Sequence, residues 1–208
     1  MSPQPMSPQP LSPQELSPEE RQPQEPSASQ RRHVLVTGGV RSGKSRYAES
    51  LLAGAERVVY LAPGAVPDPV ADPEWAARVA AHQAGRPAHW RTVETADVPG
   101  ALIAARDDAV LLDCLGTWVA AVVDGLGTWD QPLASWRERF EPHLEELLQA
   151  WRAHPGLLVA VTNEVGWALV SEHRSGRTFT DLLGRVNQAV AAESDDVALV
   201  VAGRVLHL

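Results

Sequence analysis

The chain has 208 residues, 44% of them hydrophobic, and a formal charge of −8 from 18 basic and 26 acidic side chains. That acidic balance argues against a DNA or RNA binder, whose affinity comes largely from Lys and Arg on phosphates. A single cysteine, Cys114, excludes an intramolecular disulfide and a cysteine-rich zinc site, and no stretch approaches the roughly 18 apolar residues of a membrane span.

Residues 1–30 hold eight of the 17 prolines and no Val, Ile, Phe, Tyr or Trp. The first twenty are near-copies of one pentapeptide: MSPQP, MSPQP, LSPQE and LSPEE. Proline at this density blocks helix and sheet pairing, so a disordered tail is expected over 1–30, with one domain over 31–208. The N-terminus lacks the apolar run of a secretory signal, which predicts a soluble cytoplasmic protein.

Beyond the tail, strands and helices alternate. HVLVT (His33–Thr37) reads as a strand, followed by glycines and a helix over Ser45–Ala53. Arg57–Ala62 is a second strand; Asp72-Pro73-Glu74 caps and opens a helix that runs to about Ala84. A short strand leads to Glu94, and Ala109–Cys114 is a further one. Over Leu133–Ala153, Trp136, Phe140, Leu144, Leu147 and Trp151 recur at helical spacing as a core stripe. Leu157–Thr162 is a strand and Thr180–Glu193 a helix. Val197–Ala202 and Val205–Leu208 read as a terminal hairpin with Gly203 opening the turn. The alternation predicts an α/β fold: a mainly parallel sheet with helices on both faces and a C-terminal antiparallel hairpin.

The first glycine-rich segment carries chemistry. Gly38-Gly39-Val40-Arg41-Ser42-Gly43-Lys44-Ser45 fits G-x-x-x-x-G-K-[ST], after a strand and before a helix. The glycines let the backbone wrap a phosphate, Lys44 brings a mobile cation to the β- and γ-phosphates, and Ser45 offers a hydroxyl to Mg²⁺. Lys44 is the only lysine in the chain; the other 17 basic residues are arginine. Arg41 and Arg46 either add charge to the loop or lie on the surface. The fold is therefore expected to be of the P-loop NTPase (RecA-like) type. Asp113, at the end of VLLD, is the candidate carboxylate for Mg²⁺, or else a strand-end cap.

Residues 78–94 read RVAAHQAGRPAHWRTVE. Trp75, Val79 and His82 share one helical face, so His82 by itself reads as a packed histidine. Arg86 suits a phosphate, and Glu94 a ribose hydroxyl or a base N–H.

Six segments in order, TGGVRSGKS, RVAAHQAGRPAHWRTVE, LLDCLGTW, TNEVG, RTFTDLLGRVNQAVA and LVVAG, give the chain a closer likeness. It resembles the bifunctional adenosylcobinamide kinase/adenosylcobinamide-phosphate guanylyltransferases of cobalamin biosynthesis over about residues 33–208. The resemblance implies that ATP or GTP phosphorylates the aminopropanol hydroxyl of adenosylcobinamide. It further implies that a histidine accepts GMP from GTP and passes it to adenosylcobinamide phosphate, giving adenosylcobinamide-GDP. It assigns His82 as the GMP carrier. It assigns Gly38 to Ser45, Ala62, Pro63, Gly64, Gln83, Ala84, Gly85, Arg86, Glu94 and Asp113 to the nucleotide, with Ser45 and Asp113 on Mg²⁺. It also implies a homotrimer. His89, beyond the Arg-Pro break, ranks below His82.

The chain departs from the family at several positions. Ala81 stands where a second histidine is common, Val40 replaces a small residue and is expected to crowd the loop, and Ala168, Ser171 and Thr180 replace glycine, proline and arginine. Asn163, Glu164, Arg177, Asp181 and Asn187 are read as turn or subunit-contact residues as readily as substrate ligands. Two other functions fit such a P-loop: a small-molecule kinase without guanylyl transfer, and a GTP-binding switch with a protein partner.

Overall fold

The computed structural model describes residues 31–64, 70–84, 86–167 and 169–208. The expected tail, Gly85 and Ala168 lie outside them. Strands β1 (Arg32–Gly38), β2 (Val58–Ala62), β3 (Arg91–Glu94), β4 (Ala109–Asp113), β5 (Leu157–Val161), β6 (Asp196–Val201) and β7 (Arg204–His207) are joined through six helices. These are α1 (Lys44–Leu51), α2 (Pro73–Ala84), α3 (Val98–Ala104), α4 (Leu115–Leu126), α5 (Arg137–Ala153) and α6 (Arg174–Ala192). The strands form one sheet in the order β3-β2-β4-β5-β1-β6-β7, parallel throughout except where β7 folds back on β6. No described helix is long and apolar enough to cross a membrane.

Strand residues alternate between two cores, as the period of two requires. Val110 and Leu112 join Leu35, Leu158 and Ala160 on the face covered by α3, α4, α5 and α6. Leu111 joins Tyr60, Val34, Val36 and Val159 on the face of α1, which contributes Ala48. The stripe expected over Leu133–Ala153 is buried as read, with a short 3₁₀ turn (Leu133–Ser135) ahead of α5. Phe140 meets Trp118 of α4 at 6.0 Å between ring centroids, a tilted pair of the kind worth about 1 kcal/mol beyond area burial.

Three features differ from the sequence reading. Helices α3 and α4 were not foreseen. The first begins with the same Asp-and-Pro signal as α2: Asp97 accepts the Gly100 N–H at 2.9 Å, with Pro99 in the first turn. The second, LGTWVAAVVDGL, is too uniformly apolar to show a period, and it ends on Gly127 in the left-handed region. Helix α6 starts at Arg174 rather than Thr180. Gly176 does not break it; a Cβ there would collide with Ser171, so the glycine serves close packing.

The hairpin turn is Ala202-Gly203, with Val201 paired to Arg204, so Gly203 is the second turn residue and not the first. Both have positive φ, 49° and 76°, as a two-residue primed turn demands. A left-handed alanine costs about 1–2 kcal/mol. Ala202→Asn is therefore expected to stabilise the fold by about 1 kcal/mol, seen as a higher urea midpoint at unchanged slope.

At the opposite end of the sheet, His33 and His154 are buried together against Trp151. His33 Nε2 lies 3.0 Å from the His154 carbonyl, and neither ring nitrogen of His154 has a partner among the described residues. Burial pushes both imidazoles below their ordinary value of 6.5. The unfolded chain thus takes up protons first as pH falls, and stability drops below about pH 6.5 by up to about 1.4 kcal/mol per pH unit for each histidine. Denaturant unfolding between pH 7.5 and 5.5 should show that decline, and His154→Leu should make it shallower.

Candidate active site

The glycine-rich loop leaves the C-terminal end of β1 and enters α1 at Lys44. Gly38 has φ 156° and Gly43 φ 97°, and a Cβ on Gly38 would strike the Val200 carbonyl, so the motif glycines meet real constraints. The Gly203 N–H donates to the Ser42 carbonyl at 2.8 Å and the Glu164 N–H to the Gly38 carbonyl at 3.2 Å. The terminal hairpin and the segment after β5 therefore brace the loop from two sides. Val40 is 82% exposed and crowds nothing. Arg41, at φ 58°, and Arg46 are exposed. The N–H groups of the first turn of α1 lack intrahelical partners, which makes the loop an anion cradle.

Lys44 Nζ donates to the Gly39 carbonyl at 3.2 Å. Burial lowers its ammonium from the ordinary value, opposed by Cys114 and Asp113. The Cys114 thiol is itself pushed up by burial and stays neutral near pH 7. The anion that Lys44 faces is therefore Asp113, at the end of β4. Tyr60 Oη donates to Asp113 Oδ2 at 2.7 Å, leaving Oδ1 without a partner among the described residues. The Ser45 hydroxyl has no described side-chain partner either. Ser45 and Asp113 thus offer two free hard oxygens beside a phosphate cradle, a donor set suited to Mg²⁺, which commonly takes only one or two protein ligands.

The remaining candidates gather at the same end of the sheet. Ala62 closes β2, with Pro63 buried and Gly64 half-buried after it. Glu94 closes β3, and its Oε1 accepts from Gln83 Nε2 at 3.1 Å. Arg86 lays its guanidinium over the Tyr60 ring at 3.5 Å and donates to Thr92 Oγ1 at 3.1 Å. Gln83, Arg86, Trp90, Thr92 and Glu94 line an open cleft of about 520 Å³. His82 and Ala84 lie in the last turn of α2, at the edge of this cleft by backbone position; their side chains fall outside the description.

Tyr60 and Thr92 were not among the sequence candidates. Within RVVYLA an aromatic side chain reads as core, and nothing in the pattern marks its hydroxyl. The polar residues after β5 have local partners. Asn187 accepts from Thr162 at 2.6 Å and donates to the Asn163 carbonyl at 3.1 Å. Arg177 donates to the carbonyls of Ser171 and Glu172, both at 2.8 Å.

A parallel sheet with a phosphate cradle after an interior strand, β1, and an acidic strand end two positions away defines a P-loop nucleotide-dependent enzyme. The model of the family described as cobinamide kinase / cobinamide phosphate guanyltransferase (CobU) matches residues 34–208, and the chain belongs to that family. It is 44% identical over 177 residues to the bifunctional adenosylcobalamin biosynthesis protein CobU of Salmonella typhimurium, covering 82% of this chain and 96% of that protein. The Escherichia coli protein of the same name is 40% identical over 179 residues, with the same two coverages. The bifunctional adenosylcobalamin biosynthesis protein CobP of Pseudomonas aeruginosa is 35% identical over 173 residues, covering 81% and 92%. Among solved structures, the assembled type III secretion ATPase EscN of enteropathogenic E. coli superposes with a TM-score of 0.50. That match covers 82% of this chain and 43% of the ATPase at 13% identity, a likeness of fold alone. The chain is accordingly a cobinamide kinase and cobinamide-phosphate guanylyltransferase by family.

Proposed function

We propose that residues 31–208 form one catalytic domain running both half-reactions at this sheet end, through a GMP–His82 intermediate. The observation carrying the proposal is the convergence of Lys44, Ser45 and Asp113 with the Arg86–Gln83–Glu94 cleft, at the end of the helix that bears His82.

In the first half-reaction the aminopropanol hydroxyl of adenosylcobinamide attacks the γ-phosphorus of ATP or GTP. The bond to the β–γ bridging oxygen breaks, the nucleoside diphosphate leaves and the hydroxyl proton is released. The loop from Gly38 to Ser45 orients the phosphates by its N–H groups, and Lys44 stabilises charge on the transferring group. Ser45 and Asp113 hold Mg²⁺, which neutralises phosphate charge when bound. In the second, an imidazole nitrogen of His82 attacks the α-phosphorus of GTP and pyrophosphate leaves. A phosphate oxygen of adenosylcobinamide phosphate then displaces the histidine, breaking the P–N bond and forming adenosylcobinamide-GDP. Neutral imidazole near pH 7 is both a nucleophile and a competent leaving group. Arg86 and Gln83 hold the nucleotide in the cleft, and Glu94 accepts from ribose or base. Ala62, Pro63, Gly64 and Ala84 supply backbone around it.

The decisive experiment incubates the protein with Mg²⁺ and GTP labelled at the α-phosphate, then denatures it. Retained label that is acid-labile and discharged by added pyrophosphate supports the intermediate. Phosphorylation of adenosylcobinamide without any retained label would make the chain a kinase alone.

The homotrimer belongs to the same proposal. The loop after β5 supports it, exposing Trp167, Leu169 and Val170 at 70, 99 and 80%, an apolar patch of the kind that subunit contacts cover. Light scattering tests it.

A further inference from the structure

We infer that Tyr60 is a positioning residue shared by both half-reactions, its hydroxyl serving phosphoryl transfer and its ring serving guanylyl transfer; the inference rests on the proposed function above. Tyr60 is 2% exposed on β2, where it pairs with Leu111 of β4 on one side and Thr92 of β3 on the other. It therefore sits between the two clusters of candidate residues. Its hydroxyl reaches Asp113 Oδ2 at 2.7 Å, and the ring face carries the Arg86 guanidinium at 3.5 Å. The second anchor of Arg86 is Thr92, the register partner of Tyr60.

The two contacts do different physical work. A carboxylate that accepts a short O–H bond on one oxygen is held against rotation, so its other oxygen keeps one direction while the charge acts on Lys44. Without the hydroxyl, the Asp113 carboxyl turns freely. The ring, by contrast, acts through its π face, which attracts a guanidinium whether or not the ring bears a hydroxyl. Arg86 Nε is buried with no partner among the described residues, so stacking on Tyr60 and the Thr92 bond are the main anchors of this side chain, with a weaker polar contact to the Tyr60 hydroxyl. Arg86 N–H also donates to the Gln83 carbonyl at 3.2 Å, tying the chain after α2 to the residue that follows His82. Loss of the ring would free Arg86 and loosen the cleft; loss of the hydroxyl leaves the stack and the Thr92 bond in place.

Tyr60→Phe and Tyr60→Leu separate the two. Loss of a hydrogen bond that orients a metal-binding group costs about 10- to 100-fold. Tyr60→Phe is accordingly expected to lower kcat for adenosylcobinamide phosphorylation by that factor. Its rate of GMP labelling at saturating nucleotide and Mg²⁺ should stay within about threefold of the parent. Binding of a fluorescent GTP analogue gives a readout apart from turnover. The affinity without Mg²⁺ should be unchanged in Tyr60→Phe, while the gain on adding Mg²⁺ should shrink. Tyr60→Leu should lower the labelling rate as well, and the recovery of labelling in the phenylalanine variant identifies the ring as its cause. Melting curves establish that each variant folds. If Tyr60→Leu does not, Thr92→Val removes the other anchor of Arg86 and carries the same expectation for labelling.

A Tyr60→Phe enzyme with parental phosphorylation and parental Mg²⁺ gain overturns the inference. Equal losses in both half-reactions for both variants also overturn it, since Tyr60 would then be a core residue only. A parent protein that neither phosphorylates adenosylcobinamide nor retains GMP would instead sink the proposed function, and this inference with it.

Discussion

Lys44→Ala is expected to lower adenosylcobinamide phosphorylation and GMP labelling together, each by about 100- to 1000-fold, the usual loss when one preorganised donor to a developing anion is removed. Two observations make the loss hard to compensate. Lys44 is the sole lysine of the chain, and the nearby Arg41 and Arg46 are exposed. Lys44→Arg should recover little, because a planar fork does not reproduce a compact ammonium that swings from the Gly39 carbonyl to a phosphate. The folded state should not suffer, since burial already disfavours this charge. Initial rates with γ- and α-labelled nucleotide, beside a melting curve, check all three statements. A variant that lost only one half-reaction would show that the two do not share the cradle.

His82→Ala is expected to have the opposite selectivity. Covalent GMP and adenosylcobinamide-GDP should vanish to background, because no other histidine lies on α2 and Ala81 offers no substitute nucleophile. Phosphorylation of adenosylcobinamide should stay within about threefold, as γ-phosphoryl transfer draws on the loop and Asp113 and needs no histidine. The pair of measurements is label retained after denaturation and phosphate moved to the corrinoid. His89→Ala should behave as the parent. Label surviving in His82→Ala and lost in His89→Ala would move the carrier across the Arg-Pro break.

Of the fold, the amphipathic and β-branched segments were legible because their periods are local. The core stripe from Trp136 to Trp151 and the alternation that makes the sheet parallel follow directly from residue order. Helix α4 was not, because an apolar run shows no period, and α6 begins at Arg174, six residues before the Thr180 read from the sequence. Of the candidate site, the loop and Asp113 were readable from chemistry that needs particular residue types at set spacings. His82 was not: by spacing alone it read as a packed histidine, and only the likeness to a family made it the candidate carrier.

What the sequence by itself determined is thus the phosphate cradle with its one lysine, the acidic strand end and the family. Those depend on short-range order along the chain. Only the tertiary structure decided that β2 lies between β3 and β4, which sets Tyr60 between Asp113 and Arg86 across a gap of many residues. It alone decided that the hairpin of β6 and β7 returns to hold Ser42. Strand order is set by how buried faces pack and how crossovers run, and no local pattern encodes which distant side chains then meet.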